Sequence, residues 1–165
     1  MAMMTAELYE ESLRSLNLVV YMFGKRLANV VDAPMIRPSM QAVAKTYEMA
    51  HRPEHADIMT ATSHITGKKI NRFTHIHQSV DDLVKKSKMG RLLGRETGCC
   101  FQRCVGMDAL NALSIVTYNM DQKYGSGSHP NYLANLESDQ ENDITCDGAM
   151  TDPKGDRSLP PHKQS

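Results

Sequence analysis

Two cysteines four residues apart, Cys100 and Cys104, are the side chains of this 165-residue chain best suited to chemistry. On a helix, residues at i and i+4 share one face, with Cβ atoms about 5–6 Å apart. Two thiolates so placed can reach one metal or cluster, and thiolates are soft ligands that favour iron–sulfur clusters and zinc. The spacing serves equally for two buried cysteines acting as small hydrophobes. Spacing alone favours that plainer reading, because no other ligand pair completes a four-ligand site. Cys99 falls about 100° round the same helix, and Cys146 on a short strand; both read as packing.

Other candidates are weaker. His75 and His77 form a His-x-His on an extended segment, where alternate residues point the same way; without a third ligand they read as histidines of a polar surface strand. The loop Thr151–Arg157 gathers a hydroxyl, two acids, Lys154, Gly155 and Arg157, a composition that can hold a phosphate-bearing cofactor and is also common turn chemistry. Lys85, Lys86, Lys88 and Arg91 read as a solvated helix face, since charge runs seldom hold a coenzyme A phosphate. No glycine-rich dinucleotide fingerprint, P-loop or nucleophile elbow occurs.

The elements that position these residues are mostly helical. Thr5 caps a helix through Leu16, with Leu8, Leu13 and Leu16 on one face. Leu18–Phe23 and Arg26–Val31 predict a small hairpin about Gly24-Lys25. The stretch Asp32–Pro38 is non-helical across two prolines, and Ser39 caps a helix to about Ala50. A short helical turn follows, then an extended run from Thr62 to Phe73 broken at Gly67-Lys68. Ser79-Val80-Asp81-Asp82 resembles a capping box opening a basic helix that ends near Gly94. The longest apolar-periodic stretch, about Thr97 to Met120, predicts one helix holding both cysteines. Gly125–Ser128 turns into a helix from about Pro130 to Asn142, and Ile144–Met150 reads as a strand. That strand has no partner nearby, and Pro160–Ser165 closes nothing. The chain is therefore expected to stop inside a larger fold.

Composition narrows the function. Lys plus Arg equals Asp plus Glu at 19 each, so no global field draws nucleic acid or an anionic membrane. The longest apolar run, Leu18–Phe23, is too short to span a bilayer, and the acidic start lacks a signal peptide's basic flank. A reducing, cytoplasmic setting with unbridged thiols is expected. Twelve methionines and no tryptophan imply a soft interior of helix packed on helix.

Several strings carry a specific resemblance: Val20–Gly24, Pro34–Ser39, Ile70–Phe73, the cysteine segment Cys100–Ala109, and Asp147–Arg157. Together they resemble the 4-hydroxybutyryl-CoA dehydratases, a branch of the flavin-dependent 4-hydroxyphenylacetate hydroxylases. The similarity runs from about Met4 to Pro161. It implies a mainly α fold: residues 1–143 as the helical N-terminal domain of an acyl-CoA dehydrogenase-like architecture, and 144–165 as the truncated start of a central β domain. It implies FAD and a 4Fe-4S cluster as cofactors. The activity implied is radical dehydration of 4-hydroxybutyryl-CoA to crotonyl-CoA, with vinylacetyl-CoA isomerisation, in a cytoplasmic homotetramer.

By position, the resemblance makes Cys100 and Cys104 two cluster ligands, places Gln102 at the active site, and brings the loop Met150, Thr151, Asp152, Pro153, Lys154, Gly155, Asp156 and Arg157 to FAD. It gives His77 a counterpart but no ligand role. It puts a further histidine and cysteine ligand, with most flavin and substrate contacts, beyond this chain, so that the chain alone is expected to be inactive. Two other readings stay open, a flavin-dependent aromatic monooxygenase without the cysteine pair and an inactive fragment.

Overall fold

Thr5 opens the first helix: its side chain accepts from the Leu8 N–H, starting α1 (Ala6–Ser15). The computed structural model describes residues 3–98, 100–148, 155–156 and 158–163. Leu8 and Leu16 stay exposed; α1 instead meets the next helix through Tyr9, whose ring lies 5.2 Å from that of Tyr47. The expected hairpin forms but is short, pairing β1 (Tyr21–Met22) with β2 (Lys25–Arg26). Its turn residues Phe23 and Gly24 both have positive φ, 50° and 74°, as a twist-matched two-residue turn demands.

α2 (Arg37–Ala50) begins before Ser39, with Pro38 inside its first turn. A helix's first N–H groups have no internal partner, so proline is tolerated there and the expected cap at Ser39 is displaced. A 3-10 turn (Pro53–His55) leads to α3 (Ala56–Met59), and β3 (Thr60–Thr62) pairs antiparallel with β4 (Lys69–Asn71) around Gly67. A second 3-10 turn, Arg72–Thr74, precedes α4 (Val80–Thr97). Then come α5 (Cys104–Tyr124) and α6 (Ser128–Asn142). The interior is methionine-rich as expected: Met49, Met59, Met89 and Met107 pack with Phe73 and Leu93 where α2, α4 and the start of α5 meet. A smaller cluster of Ile76, Leu110, Tyr132 and Leu136 joins α5 to α6.

Two further expectations fail. The helix predicted over 97–120 is broken: α4 ends at Gly98 in the left-handed conformation (φ 65°), and α5 starts only at Cys104. Glycine after a helix is a stop signal that outranks the apolar period continuing through it. The strand predicted from Ile144 is also absent, since residues 144–148 form no ladder and 149–150 lie outside the described residues.

α4 is anchored by a polar cluster at its start. Ser79 accepts from the Asp82 N–H, while Asp82 Oδ2 accepts from the Gln78 N–H at 3.0 Å. Asp82 Oδ1 faces Arg72 Nη1 at 3.1 Å and His75 Nε2 at 3.2 Å. Buried Arg72 also donates to the carbonyls of Asp57, Ile58 and Thr60. Burial pushes the Asp82 carboxyl up, but the donors around it win and hold it well below the usual carboxylate range. Burial also lowers His75.

Both groups therefore have folded pKa values below their unfolded ones. Their stabilisation is complete above the unfolded values, about 6.5 for His and 3.9 for Asp, and is lost as pH falls below each. Thermal unfolding midpoints are expected to hold steady above about pH 6.5 and then decline in two stages. Asp82→Asn should cost about 2 kcal/mol near neutrality and shrink the lower stage; an unchanged acid profile would remove Asp82 from the account.

Candidate metal and cofactor site

The segment between α4 and α5 turns its side chains alternately. Phe101 and Arg103 point inward, while Cys100 and Gln102 are exposed. Phe101 packs on Phe73 with ring centroids 5.8 Å apart. Gln102 has φ 62°, a left-handed value unusual for a residue with a Cβ, and donates from Nε2 to the Cys100 carbonyl at 3.4 Å. The reversal at Gln102 lets a non-helical loop bring the Cys100 thiol back to Cys104, the first residue of α5. The two thiols are close enough to hydrogen-bond. The pair that spacing placed on one helix is therefore assembled by a loop and a helix start.

Cys104 is half-buried, and its thiol is raised by that burial and by the neighbouring Cys100 sulfur. Two thiols crowded this way resist losing both protons unless a cation takes up the charge. Cys100, Cys104 and Cys146 are in no disulfide. The donor set fits one half of a thiolate site; among the described residues no group of three or more His, Cys, Asp or Glu side chains is placed to hold a metal ion. Cys146 has a different environment: burial first, then Asp139, pushes its thiol up to about 11, so it packs as expected.

The sequence reading matched Arg103 to the family motif but gave it no role. Its side chain is 1% exposed, and its guanidinium lies between the rings of Tyr47 and Phe73, 4.3 Å from each centroid. Nη1 donates to Thr46 Oγ1 at 3.0 Å, and Nη2 stands 3.8 Å from Asp143 Oδ1. Beyond that match the letters show a charge between Phe101 and Met107, which could equally have faced solvent. The segment after α6 comes back over this loop. The Tyr47 hydroxyl donates to the Asp143 carbonyl and lies 2.8 Å from Thr145 Oγ1, and the Cys146 carbonyl sits against Gly106.

His75 and His77, expected on a polar surface strand, are instead buried and half-buried, with ring centroids 6.5 Å apart and His75 Nε2 turned to Asp82. On the basic helix face Lys88 and Arg91 are exposed as expected, whereas Lys85 and Lys86 are half-buried, Lys85 paired to Asp57 and Asp81 and Lys86 to Asp108. Of the proposed cofactor loop, Met150, Thr151, Asp152, Pro153, Lys154 and Arg157 lie outside the described residues. Gly155 and Asp156 are exposed, and Asp156 caps the Ser158 N–H.

The description of the 4-hydroxyphenylacetate 3-hydroxylase N-terminal region matches residues 5–165. The chain belongs to the 4-hydroxyphenylacetate 3-hydroxylase family. Within this family it is 60% identical, over 98% of its length, to the 4-hydroxybutyryl-CoA dehydratase/vinylacetyl-CoA-Delta-isomerase of Clostridium aminobutyricum, of which it covers 33%. A solved archaeal 4-hydroxybutyryl-CoA dehydratase from N. maritimus superposes with a TM-score of 0.88 at 49% identity, over 99% of this chain and 32% of that one. The oxygenase component of 4-hydroxyphenylacetate 3-monooxygenase, solved with FAD and 4-hydroxyphenylacetate, gives 0.71 at 20% identity, over 98% and 33%. That second likeness speaks for the fold alone. The chain thus spans about a third of the length of these relatives, and its mainly helical architecture is the one the family shares.

Proposed function

We propose that this chain is the N-terminal part of a FAD- and iron–sulfur-dependent dehydratase that converts 4-hydroxybutyryl-CoA to crotonyl-CoA and isomerises vinylacetyl-CoA. The observation that carries this reading is the closed Cys100–Cys104 pair in a chain 60% identical to the clostridial dehydratase/isomerase. The bound cofactors would supply one-electron chemistry and a Lewis acid for the departing hydroxide. This chain's share is positional. Cys100 and Cys104 would give two thiolates to a 4Fe-4S cluster, with further ligands from outside these residues. Gln102, exposed between them, would face substrate. Residues 150–157 would approach FAD, and 144–165 would enter a central β domain after a helical domain of 1–143.

No helix is long and apolar enough to cross a membrane among the described residues. The proposed enzyme is cytoplasmic and acts on an acyl-CoA, and a homotetramer would cover the exposed apolar face formed by Leu113, Val116 and Met120 on α5.

The test is to express the complete protein anaerobically and measure iron, acid-labile sulfide, FAD and crotonyl-CoA formation. All four together support the dehydratase. Flavin without iron would move the reading to an aromatic monooxygenase, and neither cofactor would leave an inactive product.

A further inference from the structure

We propose that Arg103 is the positioning residue of the thiol pair, tethering the cysteine loop to residues 143–146 and so holding Cys100 against Cys104. This rests on the reading of those cysteines as ligands. Among its described residues, the side chains that this loop turns inward are Phe101 and Arg103. The loop lies between two left-handed residues, Gly98 and Gln102, and α5 starts with no side-chain cap. Phe101 is partly buried against Phe73, and Arg103 is fully inserted.

Packing alone does not explain an arginine here. Burying a guanidinium is costly, and an apolar side chain of similar volume commonly fills such a space at least as well. Arg103 keeps its Nε and Nη2 without a hydrogen-bond partner, as Asp143 keeps Oδ1. What arginine adds is a flat cation that stacks on two rings at once and is drawn to one carboxylate. Those partners come from three separate places: Thr46 and Tyr47 on α2, Phe73 after β4, and Asp143 after α6. Asp143 is itself fastened, accepting the Met4 N–H at Oδ2 while its carbonyl accepts from Tyr47. The side chain one position before Cys104 therefore joins α5's first residue to the stretch that leads in sequence to residues 150–157.

The probe is phenylarsine oxide, whose hydrated arsenic(III) forms two As–S bonds with a close dithiol and releases water, with no change of oxidation state. It is titrated into the complete apo-protein in a Cys99→Ser background, and the signal counted is the part that Cys104→Ala removes. Arg103→Met should leave circular dichroism intact, weaken arsenical capture at least about tenfold, and lower iron bound on reconstitution. Arg103→Lys, which keeps the charge but not the plane, should recover part of both. Wild-type capture in folded Arg103→Met overturns the proposal. Should that variant not fold, Asp143→Asn takes its place, and unchanged capture there overturns it equally. A wild-type protein that captures the arsenical but takes up no iron would refute the cluster reading and leave the role of Arg103 to be judged by capture.

Discussion

Gly106→Ala is expected to be among the most damaging small substitutions in this chain. A Cβ built at Gly106 would stand 1.9 Å from the Cys146 carbonyl oxygen and 2.3 Å from its carbon, far inside contact distance. The obstruction is backbone, so no rotamer change relieves it; residues 143–148 must move away from α5 or the helix start must shift. Either movement pulls on Tyr47's contacts to Asp143 and Thr145 and on the approach of Arg103 to Asp143. Overpacking a core typically costs about 1–3 kcal/mol, and loss of these polar contacts adds about 1 kcal/mol each. We expect a loss near 3 kcal/mol, read as a fall of several degrees in the unfolding midpoint. Gly90→Ala is the control. It lies within α4 with nothing within 4 Å of the added carbon, so alanine should be neutral or mildly stabilising there. Equal effects at both positions would refute the crossing of residues 143–148 over α5.

The same crossing explains what the letters showed and what they hid. Local signals were legible wherever one residue and its near neighbours decide the outcome. Thr5 and Ser79 cap helices with their own side chains, Gly24 supports a two-residue turn, and Gly127 precedes the helix that runs through Pro130. The misreadings arose where distant chain decides. Ile144–Met150 has the composition of a strand, yet its described part settles on α5 because Gly106 leaves room for the Cys146 carbonyl. The cysteine segment continues the apolar period of its surroundings, yet Gly98 ends α4, and the inward pull on Phe101 and Arg103 keeps the next turn from forming.

The candidate site was legible as two cysteines at the right separation, though the geometry behind that separation was not. Helical i,i+4 spacing would have set both thiols on a rigid rod. In the fold, Cys104 is held by a helix and Cys100 by a loop whose shape depends on a buried arginine and on Gln102 at φ 62°. No local pattern announces Arg103, because its partners lie 57 residues before it at Thr46 and near α6's end at Asp143. An arginine's place, inside or outside, is settled by such long-range company.

Cys104→Ala should separate ligation from folding more sharply than any other change. Cys104 opens α5, where alanine is a good helix residue, and it is only half-buried. Stability should therefore shift by less than about 1 kcal/mol. Ligation, in contrast, has no substitute: alanine offers no donor, and no third His, Cys, Asp or Glu is grouped with the pair among the described residues. Losing an outer-shell partner typically costs a metal site 10–100-fold, so losing a ligand should lower dehydration of 4-hydroxybutyryl-CoA by more than about 100-fold and leave the complete protein iron-poor. Cys104→Ser should fall between, since a hydroxyl is a harder and weaker donor to iron than a thiolate. Cys146→Ala is the counterpart, removing a thiol that burial and Asp139 keep protonated; it should retain full iron and activity while giving up a little packing against Leu110 and Leu136. Iron and turnover that survive Cys104→Ala would sink the ligand assignment, whereas loss of both with an unchanged unfolding midpoint would tie them to this sulfur and not to the fold around it.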